Sequence, residues 1–175
     1  TYGALWTGAV PVNAELKLPF ALSFAAQDDY GDNPVSYSTE YWQVEGGVAW
    51  RGVTVKAGRE TLGGDATRGG RMFRTPLATL HAFQGWADKF LTTPPQGIED
   101  TYVGVIGKVA GVDLQAFWHD YDAEAVSRDY GTELNLSAGY KFAGRYELLL
   151  KLADYRSDGF AADTKKYWLQ FGASF

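Results

Sequence analysis

The sequence has no cysteine and a single methionine. That excludes a disulfide scaffold, a thiolate-held metal and thiol redox chemistry, and it suits a cell-envelope protein that avoids stray oxidation. Long apolar runs are missing as well. No stretch approaches the roughly 18 residues that mark a transmembrane helix, and mean hydropathy is slightly negative. Strands that alternate apolar and polar residues cross lipid without raising mean hydropathy, so helical spans are excluded and nothing more. Positive charge is in deficit, with 16 Lys and Arg against 21 Asp and Glu. The cations are scattered, which leaves no basic field for nucleic acid. Residues 1–10 lack the basic n-region and small-residue cleavage site of a signal peptide, and the sequence reads as a mature chain or a piece of one.

Histidine is nearly absent too. His81 and His119 stand far apart, and neither has a second ligand at metal-like spacing. Serine occurs without a Gly-x-Ser-x-Gly elbow, and no Ser/His/Asp order builds a nucleophile. Asp28, Asp29, Asp32 and Asn33 supply oxygen ligands but not EF-hand spacing, so they read as a solvated loop. No catalytic, metal-binding or cofactor-binding residue is expected, and the chain does not read as an enzyme.

What the sequence has in quantity is aromatic residues and glycine, with 11 Tyr, 10 Phe, 6 Trp and 21 Gly. Aromatics suit interfacial girdles, and small residues suit a crowded lumen. The dominant pattern is alternation. Leu16, Leu18, Phe20, Leu22, Phe24 and Ala26 alternate with Glu15, Lys17, Pro19, Ala21, Ser23 and Ala25, long enough for the roughly 9–11 residues a membrane strand needs. Pro19 removes a ladder hydrogen bond and predicts a local bulge. Trp42, Val44, Gly46, Val48 and Trp50 form one face of the next strand, with Tyr41, Gln43, Glu45, Gly47 and Ala49 behind them. After a tight turn at Arg51-Gly52, Val53, Val55 and Ala57 point outward and Thr54, Lys56, Gly58 and Glu60 inward. The face of 101–110 is ambiguous, since Tyr102, Gly104 and Ile106 compete with Val103, Val105 and Val109. Leu134, Leu136, Ala138, Tyr140 and Phe142, then Tyr146, Leu148, Leu150 and Leu152, make two further outward faces.

The last strand alternates Tyr167, Leu169, Phe171, Ala173 and Phe175 against Trp168, Gln170, Gly172 and Ser174. Such a strand ending in Phe resembles the C-terminal signal of bacterial outer-membrane barrels. Short turns near 11–14, 51–52, 110–111 and 143–144 alternate with long connections near 27–36, 63–100, 120–131 and 154–165, the pattern of periplasmic turns and extracellular loops. The expected fold is all-β, an antiparallel transmembrane β-barrel of which about nine strands are present. An even strand number requires at least one strand before Thr1, so residues 1–175 are expected to be the C-terminal part of a single outer-membrane barrel domain.

The pattern breaks from Gly63 to Asp100, too long for a structureless loop without a task. Thr75-Pro76 offers a helix start, and Leu77, Leu80, Phe83, Ala87, Phe90 and Leu91 follow at helical spacing up to the Thr92-Thr93-Pro94-Pro95 stop. The segment predicts a short amphipathic helix packed inside or over the barrel mouth. The run from Phe73-Arg74-Thr75-Pro76 through His81, Gln84-Gly85-Trp86 and Asp88-Lys89-Phe90 to Thr93-Pro94 resembles the signature stretch of alginate-export-like outer-membrane porins. The resemblance implies a passive outer-membrane channel or exporter, with outer-membrane lipid, lipopolysaccharide and a translocated solute as partners.

Charge placement supplies the candidate pore residues: Lys17, Glu45, Lys56, Glu60, Lys141 and Lys151 on inward faces, and Arg74, Asp88 and Lys89 on the 63–100 segment, anchored by Trp86 and Phe90. A polyanion conduit needs a cationic lining. Here Lys17, Arg51, Lys56, Lys141 and Lys151 are offset by Glu15, Glu45, Glu60, Asp113, Glu133 and Glu147, so a neutral or weakly charged small solute fits as well as an anionic polysaccharide. The other open reading is a non-transporting barrel that serves as a structural or assembly partner within a larger envelope complex.

Overall fold

The computed structural model describes residues 1–76 and 84–175. Among them nine strands run in chain order: β1 (Tyr2–Pro11), β2 (Leu16–Asp28), β3 (Ser38–Trp50), β4 (Val53–Leu62), β5 (Ile98–Val109), β6 (Val112–Asp122), β7 (Asp129–Phe142), β8 (Tyr146–Ser157) and β9 (Thr164–Ala173). Each pairs antiparallel with the next, giving one meander in the order β1 to β9, with β1 and β9 as its two edges. The sheet is not closed on itself.

The tight turns follow from local chemistry. Arg51-Gly52 and Ala110-Gly111 place two consecutive residues at positive φ, 47° and 82° in the first and 49° and 83° in the second. That is the type I′ geometry whose twist matches a two-residue hairpin. The turn after β7 differs from the expected pair: Phe142 opposes Tyr146, so Arg145 joins Ala143-Gly144 in the loop. Between β1 and β2, the Asn13 side chain accepts the backbone N–H groups of Glu15 and Leu16, both at 2.9 Å.

Register settles the faces. Val55 opposes Val105, and Val105 opposes Ala116, which puts Val103 and Val105 on the apolar face and Tyr102, Gly104 and Ile106 on the polar one. Every other face assigned from alternation agrees with the cross-strand pairs. At Pro19 the expected bulge is instead a lapse in the β2–β3 ladder, with the same register before and after it. Proline removes one donor without adding a residue, so the strands need not shift. The register shift lies elsewhere, between Tyr121 and Asp122.

Two faces of opposite character result. One is apolar across all nine strands and exposed, with Leu169 at 73% and Val44 at 51%. Trp42, Trp118 and Tyr167 lie toward its long-loop end, and Trp50, Tyr140, Phe142 and Phe171 toward its short-turn end. Beyond the first row the same face turns ionic, with Arg59 paired to Glu99, and Lys165 3.1 Å from Asp154. The other face carries the core: Phe73, Ala87 and Phe90 of the 63–97 connection pack there against Tyr121, Tyr130, Ala153 and Tyr155.

The described part of that connection is not a helix. Gln84, Gly85 and Asp88 have φ of 48°, 80° and 59°, which an α-helix excludes, and residues 84–91 form linked turns. The first half of the expected helix, 77–83, which includes His81, lies outside the described residues.

Candidate functional site

The polar face of β3 to β7 presents acids and aromatics at alternate positions, and the 84–87 turn lies across them. Glu60 accepts the Tyr41 hydroxyl at 2.8 Å and the Gln84 amide at 2.7 Å. Glu45 holds Lys56 Nζ at 2.7 Å and accepts the Tyr102 hydroxyl at 2.8 Å, while Gln43 donates to the Tyr102 oxygen at 3.2 Å. His119 Nδ1 sits 2.9 Å from Asp100 Oδ1. Glu133 Oε1 accepts the backbone N–H groups of Trp86 at 2.6 Å and Ala87 at 2.8 Å. Buried carboxylates require such partners, because desolvation without them costs far more than a surface charge does.

Small residues let these groups approach. A Cβ at Gly58 would lie 2.6 Å from the Tyr102 ring, so glycine makes room for that ring to lie over β4. At Gly85 a Cβ would lie 2.6 Å from the Glu133 carboxylate, and its φ of 80° is left-handed. Only glycine lets the turn press this close to β7.

The arrangement lines a half-open cavity of about 350 Å³, bordered among others by Glu45, Lys56, Glu60, Gln84, Asp100 and Asn135. Of the nine pore residues expected from sequence, Glu45, Lys56 and Glu60 converge here. Asp88, Lys89 and Lys151 form a second group over β8 and β9. Asp88 is paired with Lys166 at 2.6 Å, Lys89 Nζ donates to Thr164 Oγ1 at 2.6 Å, and Lys151 Nζ lies 4.0 Å above the Trp86 ring. The remaining three stand apart. Lys17 and Lys141 share the polar face but lie at its short-turn end, Lys141 being 3.8 Å from Glu147. Arg74 is exposed, and its guanidinium donates to Gly70 O at 3.2 Å within its own loop. Phe90 anchors the segment as expected, buried among Tyr121, Tyr130 and Phe160 with ring centroids 4.6, 5.9 and 5.2 Å away.

Comparison with protein-family models, curated proteins and solved structures finds no match to this chain.

Three groups escaped the sequence reading. Asp100 and His119 meet only because β5 and β6 are neighbours. Alternation alone leaves the face of Tyr102 ambiguous. Asn135 reads in the sequence as one more lumen polar residue, yet it is fully buried beside the Glu133 carboxylate. The alternation of β7 could have flagged Asn135 as facing Phe117, its partner on β6, but not the turn that covers it.

The outer part of the connection is held by short-range bonds. Asp65 Oδ1 accepts Thr67 N at 2.8 Å, Thr67 Oγ1 at 3.0 Å and Arg68 N at 3.0 Å. The Thr67 backbone N–H, above all, holds the Asp65 carboxyl below the usual carboxylate range. Asp29 in the 29–37 loop is lowered in the same way, first by the Tyr37 N–H at 2.9 Å.

Proposed function

We propose that these nine strands form part of an outer-membrane β-barrel channel, with the apolar face toward lipid and the polar face toward a water-filled passage that residues 63–97 narrow. The observation that carries this reading is the two-faced sheet. An exposed apolar surface across nine strands is far larger than a soluble protein leaves uncovered. Acyl chains would cover it, and aromatic residues at both ends of the band suit the two membrane interfaces. On β3, Trp42 and Trp50 are separated by about 27 Å of strand, which at a barrel tilt spans about 20 Å, close to the height of an outer-membrane apolar band. All four long connections leave from one end of the sheet and the short turns from the other, which supports the same orientation.

A resemblance to alginate-export-like porins supports the channel class, while the acids around the cavity argue against a polyanion as cargo. Planar-bilayer conductance of the full-length protein is the test. Discrete single-channel steps are the expected result; absence of current from correctly folded barrels would replace this reading with the non-transporting one. That second reading has one observation in its favour, the depth to which Phe90 and Ala87 are buried on the polar face.

A further inference from the structure

The half-open cavity beneath the 84–86 turn already holds one ammonium, and it is the protein's own. Lys56 Nζ lies 2.7 Å from Glu45 Oε2 and 5.3 Å from the centroid of the Phe117 ring. A carboxylate on one side and an aromatic face on another are the contacts that recognise an organic ammonium. One cation does not balance the lining. Glu45, Glu60 and Asp100 border the same space of about 350 Å³ as Lys56, a volume within the range of pockets that take one small organic molecule. Glu60 and Asp100 are buried, and both oxygens of each are engaged, by Tyr41 and Gln84 in the first and by His119 in the second. They supply charge rather than contact. Glu45 differs, because its side chain is 17% exposed and its Lys56 and Tyr102 partners both sit on Oε2. Its Oε1 accepts no hydrogen bond among the described residues and is not sealed from solvent. The Tyr102 ring reaches Glu45 through its hydroxyl, and the Phe117 ring stands next to it at a centroid distance of 6.5 Å.

We infer that this cavity is a binding subsite for a small organic cation, a primary ammonium on a short apolar chain. The ammonium donates to Glu45 Oε1, and the chain packs on the Tyr102 and Phe117 rings. The buried charge of Glu60 and Asp100 favours a cation and repels an anion, an effect that low local dielectric strengthens. A neutral solute of the same shape gains the ring contact alone, so charge is what the site selects. Lys56 is the competitor. It holds part of the same carboxylate and one ring face, and removing it frees both while raising the net negative charge. The inference deepens the channel reading, which supplies the route to the site, but binding is measurable without current.

The test titrates the full-length protein in detergent, by calorimetry against detergent alone, with three probes of one shape: n-butylammonium, 1-butanol and butyrate. The expected result is saturable binding of butylammonium, with butanol and butyrate weaker by about tenfold or more. Lys56→Met is expected to tighten butylammonium by about tenfold, a gain that a damaged fold does not give. Adding Glu45→Gln to that variant keeps an oxygen for the Tyr102 hydroxyl but removes the charge, and it is expected to abolish the gain. Phe117→Leu, which keeps an apolar wall but removes the ring, is expected to weaken butylammonium and decides the matter if the Lys56 variants do not fold. Equal or tighter binding of butanol or butyrate, no binding of butylammonium, or a folded Lys56→Met, double variant or Phe117→Leu that departs from these directions would overturn the inference. Conductance of the same preparation separates the two readings: binding without current removes the channel and leaves the subsite, and current without binding does the reverse.

Discussion

Glu133 joins the 63–97 segment to the sheet through one oxygen. Its Oε1 accepts two consecutive backbone N–H groups, and the carboxylate is fully buried beneath Gly85. Replacing it with alanine leaves the Ala87 donor without its partner, at about 1–3 kcal/mol, and the Trp86 donor with only the Asn135 oxygen at 3.4 Å. Glu133→Ala is therefore expected to loosen the segment before the strands: trypsin should cut within 63–97 in the variant while the sheet's circular dichroism persists. Asp65 acts further out, by local bonds alone. Its folded pKa is depressed, so its contribution to loop order is complete above the unfolded value and is lost as pH falls through the folded one. Amide exchange at Thr67 and Arg68, corrected for intrinsic rate, should accelerate below the ordinary carboxylate range, and Asp65→Asn should flatten that dependence. At this scale the sequence showed which residues carry charge. It could not show that Asp100 meets His119, because that contact depends on the register of β5 against β6.

The strands were legible as elements because one face had to be apolar, and a two-residue period survives any loop length. Their ends were less so. The segments 120–131 and 154–165 read as loops, yet β6 runs to Asp122, β7 begins at Asp129, β8 continues to Ser157 and β9 starts at Thr164. The extra turns of ladder are held by Tyr121, Tyr130 and Tyr155, each fully buried, and what buries them is Phe90 from a distant connection. A run such as Asp120-Tyr121-Asp122 looks solvated when that cover is unknown. Over its described part, residues 84–91, the expected helix is absent for a related reason. Ala87 and Phe90 are spaced for a helical face, but a chain of turns with three residues at positive φ delivers both to the same aromatic cluster. Phe90→Ala should therefore destabilise the connection by about 3–5 kcal/mol, measured as earlier loss of near-ultraviolet circular dichroism in urea. Deleting 69–94 should raise single-channel conductance; unchanged conductance in a folded barrel would place the segment outside the passage.

For the whole molecule the decisive quantity is the apolar face and what covers it. If lipid does, Leu136, central on β7 and flanked by Ala116 and Leu152, sits in the apolar band. Leu136→Arg should then cost roughly 2–4 kcal/mol near the midplane, read from folding into bilayers; a negligible cost would reject the lipid assignment. The edges make a stricter demand. β1 and β9 each present one side to no other strand of the nine. In hydrocarbon every unpaired N–H and C=O costs several kcal/mol, so both edges must be paired in the membrane, to each other or to strands outside these nine. β1 already has the face such pairing needs, with Trp6 opposite Leu22 and edge-on to Phe20 at 5.1 Å. Hydrogen exchange of the full-length protein in vesicles reads this directly. Amides of β1 and β9 should be protected as well as those of β5, whose neighbours on both sides are present. Rapid exchange along β1 or β9, with β5 protected, would mean an open edge, which lipid does not tolerate, and the barrel reading would fall with it.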